Sequence, residues 1–210
     1  MEALRPDVHL GFTQTKYPAG THMCFIYDSE STRDRTMAQF LVAGVERGER
    51  VAYFADRTIE EATEWLTDAG LIASTDGPAG HVELSVAESV YCPGGYFDPE
   101  IVLEGLRRFG RETDADGYLG GRVSGEMAWA LRGLPGSERL VEYEAKVNNV
   151  LPGTGVTAIC QYDAARWDGA TILHVLRVHP MMVVRGHVLQ NPYYMKPEDY
   201  LSQYLPDSRS

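Results

Sequence analysis

The stretch Thr21–Phe54, THMCFIYDSESTRDRTMAQFLVAGVERGERVAYF, limits the fold more than any other part of the chain. Apolar residues run from Met23 to Tyr27, and a polar segment follows from Asp28 to Asp34. Met37, Phe40, Leu41 and Val45 then recur at helical spacing before Gly48, and Val51 to Phe54 is a second apolar run. Strand, helix and strand in that order make a βαβ unit. In nucleotide-binding versions the first loop is glycine-rich and closes on Gly-Lys-Ser/Thr, because backbone N–H groups and an ammonium must surround phosphate oxygens. The segment DSESTRD has neither glycine nor lysine, and it sets Asp28, Glu30 and Asp34 against only Arg33 and Arg35. The usual triphosphate grip is missing.

Helices and strands continue to alternate beyond this unit. Thr58 and Glu61 have capping-box spacing, and Ile59, Ala62, Trp65, Leu66 and Ala69 form one helical face that Gly70 ends. Residues 75–80 read as a turn, His81–Val86 as a third strand, and the aromatic, glycine-containing Tyr91–Phe97 as a loop over one end of the sheet. Asp98 and Pro99 supply a cap and first turn for a helix with Ile101, Val102, Leu106 and Phe109 inward. Tyr118–Val123 is expected as a fourth strand running into a short helical or turn segment, Ser124–Leu131. Leu140, Val141, Glu144, Val147 and Val150 mark a helix stopped by Pro152-Gly153. After a strand at Val156–Tyr162, a helix through Leu176 ends at His179-Pro180, and Met182–Leu189 is the last strand.

This order predicts one α/β domain: a mostly parallel central sheet with helices on both faces, and ligands beyond the strand carboxyl ends. The expected boundaries are an arm over 1–19, a domain over 20–195 and a polar tail over 196–210. A chain of 210 residues with 44% hydrophobic content can bury the sizeable core this needs. Its net charge of −11 would repel nucleic acid and anionic membranes before contact, so neither is an expected partner. No apolar run has leader or membrane-spanning length, which makes the cytoplasm the expected location. Three cysteines without framework spacing read as reduced thiols.

His22 and Cys24 alternate on one strand and so face the same side. With Cys160 and His179 they offer soft ligands for zinc, iron or haem, although His-x-Cys without a second close pair is weak metal spacing. Buried core thiols, or the wall of an apolar pocket, are the simpler reading. Glu126, Glu144, Arg122 and Asp163 are the polar candidates for that pocket, with an Arg122–Glu126 ion pair as the structural alternative. Trp129, Tyr91, Tyr96 and Phe97 supply apolar walls with polar tips. Asn191-Pro192-Tyr193-Tyr194 reads as a pin for the chain end. Ser29, Ser31 and Ser124 lack His/Asp partners, so nucleophilic catalysis is a poor reading.

The phrases GTHMCFIYDS, FLVAGVERGERVAYF, RVSGEMAWAL, LVEYEAKVN, CQYDAARWDG and HP…NPYY, in this order over Gly20 to Tyr194, resemble the MEDS domain. That is the sensory domain named after methanogens, methylotrophs and a dichloromethane-responsive regulator. The resemblance implies a RecA/KaiC-like fold with a degenerate phosphate-binding loop and a non-enzymatic role in sensing small hydrocarbon-like molecules in prokaryotic signal transduction. The implied partner is a histidine kinase, sigma-factor regulator or transcription factor acting in trans, with homo-oligomerisation left open. The expected ligand-binding residues are His22, Cys24, Tyr27, Tyr91, Arg122, Glu126, Trp129, Glu144, Cys160 and Tyr162, with no catalytic residue, no assigned metal ligand and no cofactor named. A degenerate nucleotide-binding protein and a metal- or haem-dependent redox sensor are the alternatives.

Overall fold

A computed structural model describes residues 6–74 and 80–205. Residues 75–79 of the turn expected at 75–80, residues 1–5 of the arm and 206–210 of the tail lie outside the described residues. A short antiparallel pair, β1 (Val8–His9) and β2 (Lys16–Tyr17), precedes β3 (His22–Tyr27), α1 (Glu30–Glu46) and β4 (Arg50–Ala55). Next come α2 (Ile59–Asp68), β5 (Ala73–Ser74), β6 (Val82–Val86), α3 (Ala87–Tyr91), α4 (Pro99–Ala115) and β7 (Gly121–Glu126). A 3₁₀ segment, Met127–Arg132, and α5 (Leu140–Thr154) lead to β8 (Val156–Asp163) and α6 (Gly169–Val178). The hairpin of β9 (Met181–Val184) and β10 (His187–Gln190) is followed by α7 (Pro197–Tyr204).

Eight strands form one sheet in the order β10-β9-β3-β8-β7-β4-β6-β5. Every pairing in it is parallel except the β9–β10 hairpin, as expected for an α/β domain. On one face Phe25, Met37, Phe40, Leu41, Tyr53 and Leu66 form a core with α1 and α2. On the other, Leu103, Val123, Tyr143, Val147 and Ala158 join the sheet to α4 and α5.

Local chemistry accounts for the helix starts. The Ser29 hydroxyl accepts from the Thr32 N–H at 3.4 Å, so α1 begins at Glu30 and most of the polar segment expected as a loop is helix. Thr58 and Glu61 complete their capping box, and Asp98 caps α4 with Pro99 in the first turn.

Elsewhere tertiary context overrides the local signals. β7 stays extended through Glu126, where a helical or turn segment was expected, because β4 and β8 pair with it as far as Gly125 and Glu126. α5 runs past the expected stop at Pro152-Gly153 to Thr154, since a proline in the last turn forfeits only one helical bond, and it closes at Gly155 in the left-handed region. The expected last strand is two, turned about Arg185 and Gly186, both at positive φ as a two-residue hairpin requires. Part of the expected polar tail is α7, whose Tyr200 is buried against Ala145 and Val178.

Candidate functional site

At the carboxyl ends of β3, β4, β7 and β8 lies a polar cleft of about 380 Å³, lined by Tyr27, Arg33, Arg57, Glu126, Gln161 and Asp163 among others. Glu126 is its hub. The carboxylate accepts from Arg33 Nη1 at 2.5 Å, the Asp56 N–H at 2.8 Å, Arg57 Nη2 at 3.3 Å and the Tyr53 hydroxyl. Arg33, which sequence reasoning placed in an open loop, is buried in α1, also bonds Glu30 and forms an ion pair with Asp34. Asp34 also holds Arg57, while Asp56 holds Arg132 and Arg166. Those four arginines face four carboxylates, with Asp163 and Glu61 also lining the cleft. This balance offers no positive potential to a triphosphate. Burial raises the Asp56 pKa despite Arg132 and Arg166, and burial followed by the Glu126 charge raises that of Tyr53.

The expected Arg122–Glu126 pair does not form. Four residues along a strand span about 13 Å, too far for an ion pair. Arg122 is wholly buried beneath α1, where it pairs with Glu49 and donates to the Phe40 and His9 carbonyls at 2.6 and 2.7 Å. A Cβ on Gly44 would lie 2.6 Å from Arg122 Cδ, so glycine is what lets α1 cross this guanidinium. Arg122 therefore lines neither the cleft nor the cavity described next.

The second space, about 370 Å³, lies on the other face of the sheet beneath α4. Phe54, Leu106, Val123, Val147 and Ala158 contribute to its largely apolar lining, Tyr91, Tyr143 and Cys160 add polar tips, and Arg50, Glu83, Arg108 and Glu112 bring charged groups to it. Tyr91 stacks on Trp129 with ring centroids 5.0 Å apart, and Tyr143 meets Tyr91 edge-on at 6.0 Å. Gly125 admits this arrangement, because a Cβ there would collide with the Tyr91 hydroxyl. Burial pushes the Tyr91, Tyr143 and Cys160 pKa values well above their ordinary values, so these groups line the cavity uncharged. Trp129 supports the wall through Tyr91. Sequence reasoning missed Tyr143, although Leu140, Tyr143 and Val147 share an i, i+3, i+7 face of α5.

Cys160 also belongs to a buried cluster with His22, Glu144 and His179. Glu144 Oε2 lies 3.2 Å from His22 Nε2, 3.4 Å from His179 Nε2 and 3.4 Å from Cys160 Sγ. The Tyr162 hydroxyl donates to Glu144 Oε1 at 2.5 Å. Burial, then His179, lowers the His22 pKa. Burial works to raise that of Glu144, but His179 and His22 outweigh it and the net shift is downward. Cys24, expected here, instead points its thiol at the Met181 carbonyl 3.8 Å away, and burial raises its pKa to about 12.

The structure thus divides the expected ligand-binding residues. Tyr27 and Glu126 line the cleft, Tyr91 and Cys160 line the cavity, and His22, Glu144, Cys160 and Tyr162 meet in the buried cluster.

The profile of MEDS, the methanogen/methylotroph, DcmR sensory domain, matches residues 21–180. The chain belongs to the MEDS family. Its matched span includes the Glu126 hub, the cavity beneath α4 and the whole buried cluster. The fold is similar to that of a KaiC-like protein from the hyperthermophilic archaeon Pyrococcus horikoshii OT3, with a TM-score of 0.56 and 16% sequence identity. That similarity covers 85% of this chain and 79% of the other. No curated protein matches the MEDS chain in sequence. Among the described residues no helix is long and apolar enough to cross a membrane.

Proposed function

We propose that this MEDS protein is a non-enzymatic sensor: a small apolar or weakly polar molecule enters the cavity beneath α4, and the change passes to a separate signalling protein such as a histidine kinase, a sigma-factor regulator or a transcription factor. The observation that carries this reading is the cavity itself, about 370 Å³ with a mainly apolar lining. That volume suits a small hydrocarbon derivative, and the neutral Tyr91, Tyr143 and Cys160 tips can orient one weakly polar group. The cleft at the strand ends favours a nucleotide far less, because its arginines are already paired with carboxylates. Signalling requires the ligand to prefer one of two conformations, and α4 is the element that would move, since it roofs the cavity.

Gly105 on α4 provides the test. It lines the cavity, and a Cβ there would meet nothing within 4 Å. Thermal shift and calorimetry over small haloalkanes, alcohols and cyclic hydrocarbons are expected to find at least one saturable ligand. Gly105→Met is expected to fold normally and lose that binding, because its side chain occupies the space. Absence of any ligand, together with constitutive binding of a partner protein, would leave a scaffold rather than a sensor.

A further inference from the structure

We propose that His22, Glu144, Cys160 and His179 form a tetrahedral zinc site, built from four elements and sealed in the core beside the cavity. Their donor atoms lie within 4.8 Å of one another. The separations are 3.2 Å (His22 Nε2 to Glu144 Oε2), 3.4 Å (His179 Nε2 to Glu144 Oε2), 3.4 Å (Cys160 Sγ to Glu144 Oε2) and 3.5 Å (Cys160 Sγ to His22 Nε2). Ordinary zinc–nitrogen, zinc–oxygen and zinc–sulfur bonds at tetrahedral angles put donor atoms about 3.4–3.6 Å apart. Four of the six donor separations thus lie within a few tenths of an ångström of that spacing, and the whole set, within 4.8 Å, needs only a small closing movement to hold an ion.

The surrounding hydrogen bonds point the same way. His22 Nδ1 lies 3.1 Å from Asn148 Oδ1, and His179 Nδ1 lies 2.8 Å from the Val175 carbonyl oxygen. Both acceptors hold the proton on Nδ1 and leave each Nε2 lone pair free, the usual outer-sphere arrangement for a metal-bound histidine. Tyr162 fixes Glu144 through its other oxygen, which orients Oε2 toward the cluster. His179 Nε2 is the sharpest single observation: it is fully buried and, although 3.4 Å from Glu144 Oε2, it makes no hydrogen bond. A buried polar atom without a bond is costly, and a metal ion at the centre would satisfy it.

The donor set suits zinc. Two imidazoles, one carboxylate and one thiolate are borderline-soft, and four protein ligands close the site. Binding breaks the Cys160 S–H bond, forms a zinc–sulfur bond and releases the thiol proton to solvent. His22 on β3, Cys160 on β8, Glu144 on α5 and His179 after α6 would be tied together, and Cys160 would make the ion part of the cavity wall. The proposal does not depend on what the cavity binds.

Metal analysis of the purified full chain, with cobalt(II) replacing zinc as a spectroscopic probe, tests it. One equivalent of zinc per chain is expected, and the cobalt form should show tetrahedral d–d bands and a thiolate-to-cobalt band. Cys160→Ser should lose the thiolate band and His179→Gln should weaken binding, with circular dichroism confirming that each variant folds. Asn148→Ala leaves all four ligands in place and is expected to lower affinity about 10- to 100-fold. Wild-type protein that takes up no stoichiometric zinc or cobalt would overturn the proposal whatever the variants do. So would uptake with a spectrum that Cys160→Ser leaves unchanged.

Discussion

At the scale of single residues, two helical glycines that look alike in sequence have opposite roles. Gly44 faces Arg122 Cδ at a distance no side chain tolerates, whereas Gly105 faces open cavity. Gly44→Ala is expected to destabilise the fold by about 1–3 kcal/mol, the usual cost of overpacking. Gly105→Ala should stabilise it by up to about 1 kcal/mol through helix propensity. Denaturant melts of both variants check the contrast, and equal signs would contradict the assignment of cavity and contact. Arg33 shows why such roles escape sequence reading. Its neighbours Glu30 and Asp34 are local, but Glu126 arrives from β7 and converts an apparent loop charge into a buried hub.

At the scale of elements, α7 docks through a histidine. His174 Nδ1 lies 2.7 Å from the Tyr200 hydroxyl, and its ring meets Tyr204 edge-on at 5.1 Å. Burial and then Arg177 lower the His174 pKa below its ordinary 6.5. The folded chain thus binds the proton less readily than the unfolded one, and the stabilisation, complete above 6.5, is lost as pH falls below it. Hydrogen exchange in α7, corrected for intrinsic rates, should speed up between about pH 7.5 and about pH 5.5, and His174→Gln should flatten that change. An unchanged profile in the variant would remove His174 as the cause. The sequence showed the elements with strong local signals, such as the capping box of α2 and the Asp98-Pro99 start of α4. It hid α3 and α7, whose short helices are held by packing more than by a long apolar period.

At the scale of the whole molecule, a sheet with the layers of a KaiC-like fold carries a balanced ion network at its strand ends and has its apolar room beneath α4. The alternation of strands and helices was legible because it is periodic along the chain. The division of the expected residues into cleft, cavity and cluster was not, because strand parity and helix docking decide which side chains meet. His22, Glu144, Cys160 and His179 are separated by up to 157 positions and converge only once β3, β8, α5 and α6 have packed. The most direct test of the sensor reading is crystallographic: crystals of the protein pressurised with xenon, an apolar probe that enters dry cavities. The account predicts anomalous density between Gly105, Val147 and Cys160, absent in Gly105→Met. Density confined to the cleft around Glu126, or none in either crystal, would contradict it.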